Sequence, residues 1–202
     1  LREALAEYGL HKGQNIQVSW RRVEAPDQAV PMAQELLYGG AELIIVHDTP
    51  VAYAAARVTR TVPIVLAGIA DPVGSGLVRS LARPGGNVTG LSWNLPAIAG
   101  KKLELLREML PLASRFGFLA AAQDPATPLF VENTRTASRK LGVQLEVVQV
   151  DAPAQFDYAF AQLVRERVQG LVVQPLFTYA SQALAAAALG HRMASASAFR
   201  AY

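Results

Sequence analysis

Short runs of uninterrupted apolar residues recur along this chain, separated by stretches with helical periodicity. Leu43-Ile44-Ile45-Val46 and Ile64 to Ile69 are such runs, and Leu171 to Gln174 is one up to its last residue. A strand that is apolar at every position has no face to give to water, so it needs cover on both sides. Helical patterns of roughly 10–15 residues lie between the runs and supply that cover, which is the signature of parallel βαβ units. Of the 202 residues, 51% are hydrophobic and 17% charged, enough apolar material for a core and too little charge for a disordered chain. The expectation is an α/β fold with parallel sheets.

The finer pattern predicts the order of elements. Leu1, Leu5 and Tyr8 share a helical face that Gly9 closes. Ile16, Val18 and Trp20 alternate with polar residues, as in a half-buried strand. Asp27 is placed to cap a helix carrying Val30, Ala33 and Leu37. Thr49 is placed to cap the next one, with Pro50 at its first position, where a missing N–H costs nothing. Leu77 to Leu81 reads as a short helix, Arg83 to Asn87 as a turn and Val88 to Trp93 as a strand. Helices are predicted over 97–110, 129–141, 155–168 and 179–189, and strands over 116–120, 143–150 and 194–199.

The two halves echo one another at an offset of 128 positions. Ala33-Gln34 corresponds to Ala161-Gln162, Leu43-Ile44-Ile45 to Leu171-Val172-Val173, and Lys12-Gly13 lies at a helix end as Lys140-Leu141-Gly142 does. Any two βαβ units share some of this pattern. Read as a repeat, it implies two α/β lobes joined near residues 88–95, with strand C-termini from both facing a shared crevice.

Several chemistries are poorly served. With no cysteine there is no disulfide, thiolate zinc site or catalytic thiol, and His11, His47 and His191 are too scattered for a metal centre. Gly74-Ser75-Gly76 lacks the third glycine of a dinucleotide fingerprint, where Arg79 stands, and does not form a Gly-x-Ser-x-Gly elbow. His47 and Asp48 are adjacent, so in an extended segment they point apart and make a poor acid–base pair. The net charge is +3, but the basic residues are dispersed, unlike a nucleic-acid-binding arm. Lys101-Lys102 and Arg165-Glu166-Arg167 read as solvated helix faces.

The ligand candidates lie where strands end. Asp48, Thr49 and Pro50 follow a buried strand and open a helix; the helix N-terminus and the Thr49 hydroxyl could seat a carboxylate, or the segment could be a plain cap. Asp71 follows the next strand, able to hold an ammonium or to start a turn. Asp124 and Thr127 follow the strand at 116–120, facing the crevice or capping the next helix. Phe177, Tyr179 and Phe199 lie near strand ends, to stack on a ligand or to fill space between sheet and helix.

Three segments resemble a known family. Asp71-Pro-Val-Gly-Ser-Gly-Leu-Val, Ser80-Leu-Ala-Arg-Pro-Gly-Gly-Asn-Val-Thr-Gly-Leu91 and Gly100-Lys-Lys-Leu-Glu-Leu-Leu-Arg are similar to the solute-binding proteins of ABC importers, and more narrowly to the TrpX-like group with the type 1 periplasmic-binding fold. The opening Leu1-Arg-Glu, Gly13-Gln-Asn-Ile and Thr61-Val-Pro-Ile-Val also match, so the likeness runs over nearly the whole chain. It implies two Rossmann-like lobes, with residues 1–90 as the first, 91–112 as hinge strand and connecting helix, and 113–202 as the second. Such proteins close on a small ligand and deliver it to an ABC permease in the inner membrane. They are periplasmic or lipid-anchored outside the cytoplasm, although no leader is visible here. The matching cleft positions are Thr49, Pro50, Asp71, Thr89, Asp124, Phe177 and Phe199. Relatives bind amino acids, aromatic ones among them.

Members of that group start with a strand before the Leu1 helix and continue past the equivalent of Tyr202. The resemblance therefore implies a chain incomplete at both ends, its first lobe short of its first strand and closing elements. The expectation is a monomeric binding protein with no cofactor, no metal and no nucleic-acid partner. The effector domain of a LacI-type transcription regulator shares the two-lobe plan and is the alternative; an α/β enzyme would need paired acids, a thiol or a Gly-rich fingerprint.

Overall fold

A computed structural model describes residues 2–23 and 26–197. Helix α1 (Arg2–Glu7) stands first, followed by α2 (Ala29–Tyr38), β1 (Ile44–Val46), α3 (Thr49–Val58), β2 (Ile64–Ile69) and β3 (Val88–Ser92). Helix α4 (Leu95–Met109) leads into β4 (Arg115–Ala121), α5 (Thr127–Leu141), β5 (Gln144–Val150), α6 (Phe156–Arg165), β6 (Gly170–Val173), α7 (Ser181–Gly190) and β7 (Ala194–Ala196). The strands form two sheets, ordered β1-β2-β3 and β5-β4-β6-β7, and every pairing is parallel. This is the α/β architecture the apolar runs predict. In the second sheet β5 lies on one side of β4 and β6 on the other, so the chain reverses direction across β4. The C-terminal end of that strand is a topological switch point, where open α/β sheets bind ligands.

Local chemistry explains several boundaries. Helix α5 begins with Pro128 in its first turn and ends at Gly142, which takes φ 65°. The Gly142 N–H donates to Arg139 O and the Val143 N–H to Ser138 O, the paired bonds that close a helix on a left-handed residue. The second sheet is covered on both faces. One cluster holds Leu119, Phe156, Phe160, Leu163, Leu171 and Phe177, and the other Leu103, Leu106, Phe116, Phe118, Phe130 and Val172. Strand β6 is buried at every position.

The first sheet departs from expectation. Strand β1 is buried only at alternate residues, with Ile44 and Val46 in a core against α3 while Leu43 and Ile45 are 49% and 45% exposed. The residues Ile16 to Trp20 do not form a strand; they carry one isolated bridge, Lys12 to Ile16, and Trp20 is exposed. Among the described residues this segment pairs with no strand. A strand satisfies its backbone only against a neighbour.

Smaller corrections follow from hydrogen bonding. Residues 77–81 are turn rather than helix, because Val78 N–H reaches back to Pro72 O and Arg79 N–H reaches forward to Pro84 O. Asp27 lies in a single 3-10 turn ahead of α2, whose N-cap is Gln28. Helix α6 stops at Arg165, and Arg167 takes φ 58°. A 3-10 segment, Pro175–Ala180, precedes α7. The predicted strand at 194–199 is β7 as far as Ala196, and Phe199 lies outside the described residues.

The lysine pair on α4 is divided. Lys101 is exposed and bridges Glu104 at 2.6 Å. Lys102 is only 7% exposed, beside Leu103 and Leu106 on the inward side, and its Nζ has no hydrogen-bond partner. Successive helical residues point about 100° apart, so a pair on the rim of a buried stripe sends one member inward. Burial pulls the Lys102 amine down from 10.5 to about 8. Between those two values the unfolded chain holds more protons than the folded one, so stability rises with pH across the window. Lys102→Met is expected to remove that rise and to add roughly 1–3 kcal/mol at pH 7 by deleting an unpaired buried amine. Urea denaturation of both proteins from pH 7 to pH 10.5 measures it; an unchanged slope would place the titration elsewhere.

Candidate functional site

The site is built where parallel strands end. In the first half, β1 runs out into His47, Asp48 and Thr49. Asp48, rather than Thr49, is the N-cap of α3: its backbone is extended and its Oδ1 accepts the Val51 N–H at 3.0 Å. Pro50, in the first turn, has no N–H to offer. The anion seat expected there is thus largely filled by the chain's own carboxylate, and Thr49 is buried. His47 meets the Trp93 ring edge to face, with centroids 5.9 Å apart.

Strand β2 ends at Ile69, and Asp71 folds the next loop. Its Oδ1 accepts from Val73 N at 3.2 Å and Gly74 N at 2.9 Å, while its carbonyl accepts from the Ser75 hydroxyl. The Tyr53 hydroxyl of α3 donates to the Ser75 carbonyl and ties this loop to the helix beside it. Thr89 is not gathered with this set; it is the second residue of β3, opposite Val65, near the other end of the strand.

The second half contributes a buried polar network at the switch point. Gln174, fully buried after β6, has its Oε1 facing the Ala121 N–H at 3.0 Å and the Thr127 hydroxyl at 3.0 Å. Its Nε2 donates to Asp124 Oδ2 at 2.7 Å. Asp124 Oδ1 accepts the Ala126 N–H at 2.9 Å, and the Thr127 hydroxyl donates to Ala121 O at 2.6 Å. Burial pushes the Asp124 carboxyl above its ordinary value; the Ala126 N–H and the Gln174 amide pull the other way, and the Asp48 carboxylate adds to the upward push. Asp48 and Asp124 thus both lie after strand C-termini, one in each half of the chain, near enough for the first to be felt by the second. The halves also touch directly, since a Cβ on Gly74 would meet Leu129 of α5.

The geometry therefore brings Asp48, Thr49, Pro50, Asp71, Asp124 and Thr127 to the ends of the strands. It sends Phe177 elsewhere. That ring is 2% exposed and packs edge to face on Phe156, 5.2 Å between centroids, inside the core of the second half. Gln174 is the residue the sequence reading passed over. Its one signal was a polar side chain closing the apolar run Leu171-Val172-Val173.

Among the described residues, none of the four ion pairs involves Asp48, Asp71 or Asp124, so no such pair neutralises these carboxylates. No group of His, Asp and Glu there could hold a metal ion among those residues. The arrangement offers acceptors to a cation and presents no nucleophile beside a base.

The description ABC transporter substrate binding protein matches residues 1–193. The chain belongs to that family. This is a family of substrate-binding proteins rather than enzymes, and the fold is of the type 1 periplasmic-binding kind. A tyrosine-binding protein of Clostridioides difficile is 28% identical over 163 residues, which make up 80% of this chain and 47% of that protein. The chain thus spans about half the length of that relative. A conserved domain protein from Vibrio cholerae superposes with TM-score 0.88 at 24% identity, over 100% of this chain and 68% of the other. An ABC domain from Streptococcus pneumoniae solved in complex with L-Trp gives TM-score 0.86 at 23% identity, over 98% and 67%. No helix among the described residues is long and apolar enough to cross a membrane.

Proposed function

We propose that this substrate-binding protein captures an amino acid or closely related ammonium carboxylate between two lobes, residues 1–90 and 113–202, joined by the hinge strand and helix at 91–112. The reading is carried by Asp48 and Asp124, which follow strand ends in the two halves and take part in none of the described ion pairs. An ammonium placed between them gains a charge-assisted hydrogen bond from each lobe. Such contacts exist only when the lobes are together, so the ligand favours the closed form by the free energy of those contacts. Asp71 offers its second oxygen from the loop that rests against α5. Of the further contacts that the family likeness implies, Phe199 is kept as a candidate, while Thr89 and the core-buried Phe177 are not counted among them. The protein then works outside the cytoplasm, as a monomer, and hands its ligand to an ABC permease. The tyrosine and L-Trp of the relatives' names make aromatic amino acids the first candidates.

Titration calorimetry of the full chain against L-Tyr, L-Trp, L-Leu and their desamino acids tests this. Saturable binding is expected for at least one amino acid, weakened about 10-fold or more in its desamino form and in Asp124→Asn, since a charge-assisted bond contributes roughly 1.5–3 kcal/mol. Affinity should also fall as pH is lowered through the raised Asp124 value, because the protonated carboxyl no longer attracts an ammonium. Equal binding of the desamino acids removes the ammonium role, and silence across the panel overturns the reading.

A further inference from the structure

The opposite end of the second sheet, where its strands begin, holds a cavity of about 540 Å³ lined by Ser114, Arg115, Gly142, Gln144, Arg167 and Gln169. It lies the length of β4 away from Asp124, roughly 20 Å at about 3.3 Å per residue, and takes no part in the crevice described above. The hydrogen bonds around it fix the direction of every amide. Gln169 Oε1 accepts the backbone N–H of Ser114 at 2.9 Å and of Arg115 at 3.3 Å. Gln144 Oε1 accepts Arg115 Nε at 2.8 Å. Both glutamines therefore spend their acceptor oxygens on the protein, and their NH2 groups make none of the described hydrogen bonds.

The two guanidiniums differ. Arg115 is held in place, its Nη1 donating to the Glu166 carbonyl at 2.7 Å and lying 3.6 Å from the Glu166 carboxylate. Arg167 makes no described side-chain bond, and its backbone sits at φ 58°, a conformation that costs free energy in a non-glycine residue. Glu166 is the carboxylate beside this rim, and against two arginines it leaves the rim positive. The Gln144 and Gln169 amides and the Arg167 guanidinium are thus donors at this exposed rim that no described protein group accepts, beside an Arg115 already held by Gln144 and Glu166. Planar, forked donors of this kind match the oxygens of a phosphate group.

We infer that this cavity binds a phosphate-bearing anion, independently of the ligand in the interlobe crevice. The group belongs to a soluble phosphate compound or to the headgroup of an anionic lipid, and the two sources separate in solution. Pyrophosphate and inorganic phosphate are titrated into the full chain at 50 mM salt, and the protein is sedimented with phosphatidylglycerol vesicles and with neutral phosphatidylcholine ones. Two substitutions leave the local frame in place. Arg167→Gly suits the left-handed backbone and removes one guanidinium. Gln169→Glu still accepts the Ser114 and Arg115 N–H groups but replaces a donor with a negative charge. Saturable pyrophosphate or phosphate binding, at least tenfold weaker in both variants, establishes the soluble source. Cosedimentation with phosphatidylglycerol alone, lost in both variants, establishes the headgroup. Circular dichroism melts confirm that each variant is folded, and Gln144→Glu, which keeps its bond to Arg115, replaces either one that is not. No binding in either arm, or binding unchanged by the substitutions, overturns the inference.

Discussion

Gln174→Leu is expected to lower stability by about 3–5 kcal/mol at pH 7, a fall in melting temperature of roughly 10 °C for a chain of this size. The side chain is fully buried and is the shared partner of three groups: the Ala121 N–H, the Thr127 hydroxyl and the Asp124 carboxylate. Leucine fills most of the volume and satisfies none of them. The Ala121 N–H becomes an orphan donor inside the protein, and Asp124 keeps only the Ala126 N–H against the cost of its burial. A pH signature separates this from a packing defect. With the Gln174 bond gone, the Asp124 carboxyl rises further above its ordinary value, so the folded protein binds the proton more tightly than the unfolded one. The deficit should therefore shrink as pH falls through that raised value. Urea denaturation at pH 7 and pH 5 reads both effects; a loss of the same size at the two pH values would assign it to shape alone. The amino-acid binding proposed above should fall along with the network, because Asp124 is then no longer held in place.

The second large effect concerns the first sheet. Gly90 pairs with Leu66 in the β2–β3 ladder and takes φ 135°, a region that residues with a Cβ rarely enter. A Cβ there would lie 2.5 Å from the Leu66 nitrogen and 2.8 Å from its Cα, and closer still to its carbonyl oxygen. These are backbone atoms and cannot turn aside. Gly90→Val should part β3 from β2 at a cost above about 3 kcal/mol. The second sheet has its own cores on both faces, so the damage should stay local. In hydrogen exchange, amides of β2 lose protection while those of β4 and β6 keep theirs. Stability within about 1 kcal/mol of the parent would mean that β2 and β3 are not in this register.

Much of the fold was legible because the signals are local. Leu171 to Val173 reads as a covered strand from its own composition, and β6 is buried throughout. Gly142 reads as a stop, and it closes α5 in the left-handed conformation. The same local logic misjudged Ile16 to Trp20, whose alternation is that of a strand but whose backbone finds no neighbour among the described residues. It also gave Leu43 and Ile45 a buried environment, although one face of their sheet is open.

The candidate site was legible in its positions and not in its partners. Asp48, Asp71 and Asp124 could be picked out because polar residues following apolar strands mark the ligand edge of a parallel sheet. That Asp48 rather than Thr49 caps α3 depends on backbone dihedrals, and that Phe177 joins the core depends on where Phe156 lies. The bond between Asp124 and Gln174 joins residues 50 positions apart.

By itself, then, the sequence determined most of the succession of strands and helices and the parallel sense of both sheets, since periodicity and crossover length act within a few turns of chain. The tertiary structure alone decided which strand stands beside β4, and through that which glutamine meets Asp124 and which lysine is buried. Hydrogen bonding and burial depend on neighbours in space, and those are set only when the sheets close.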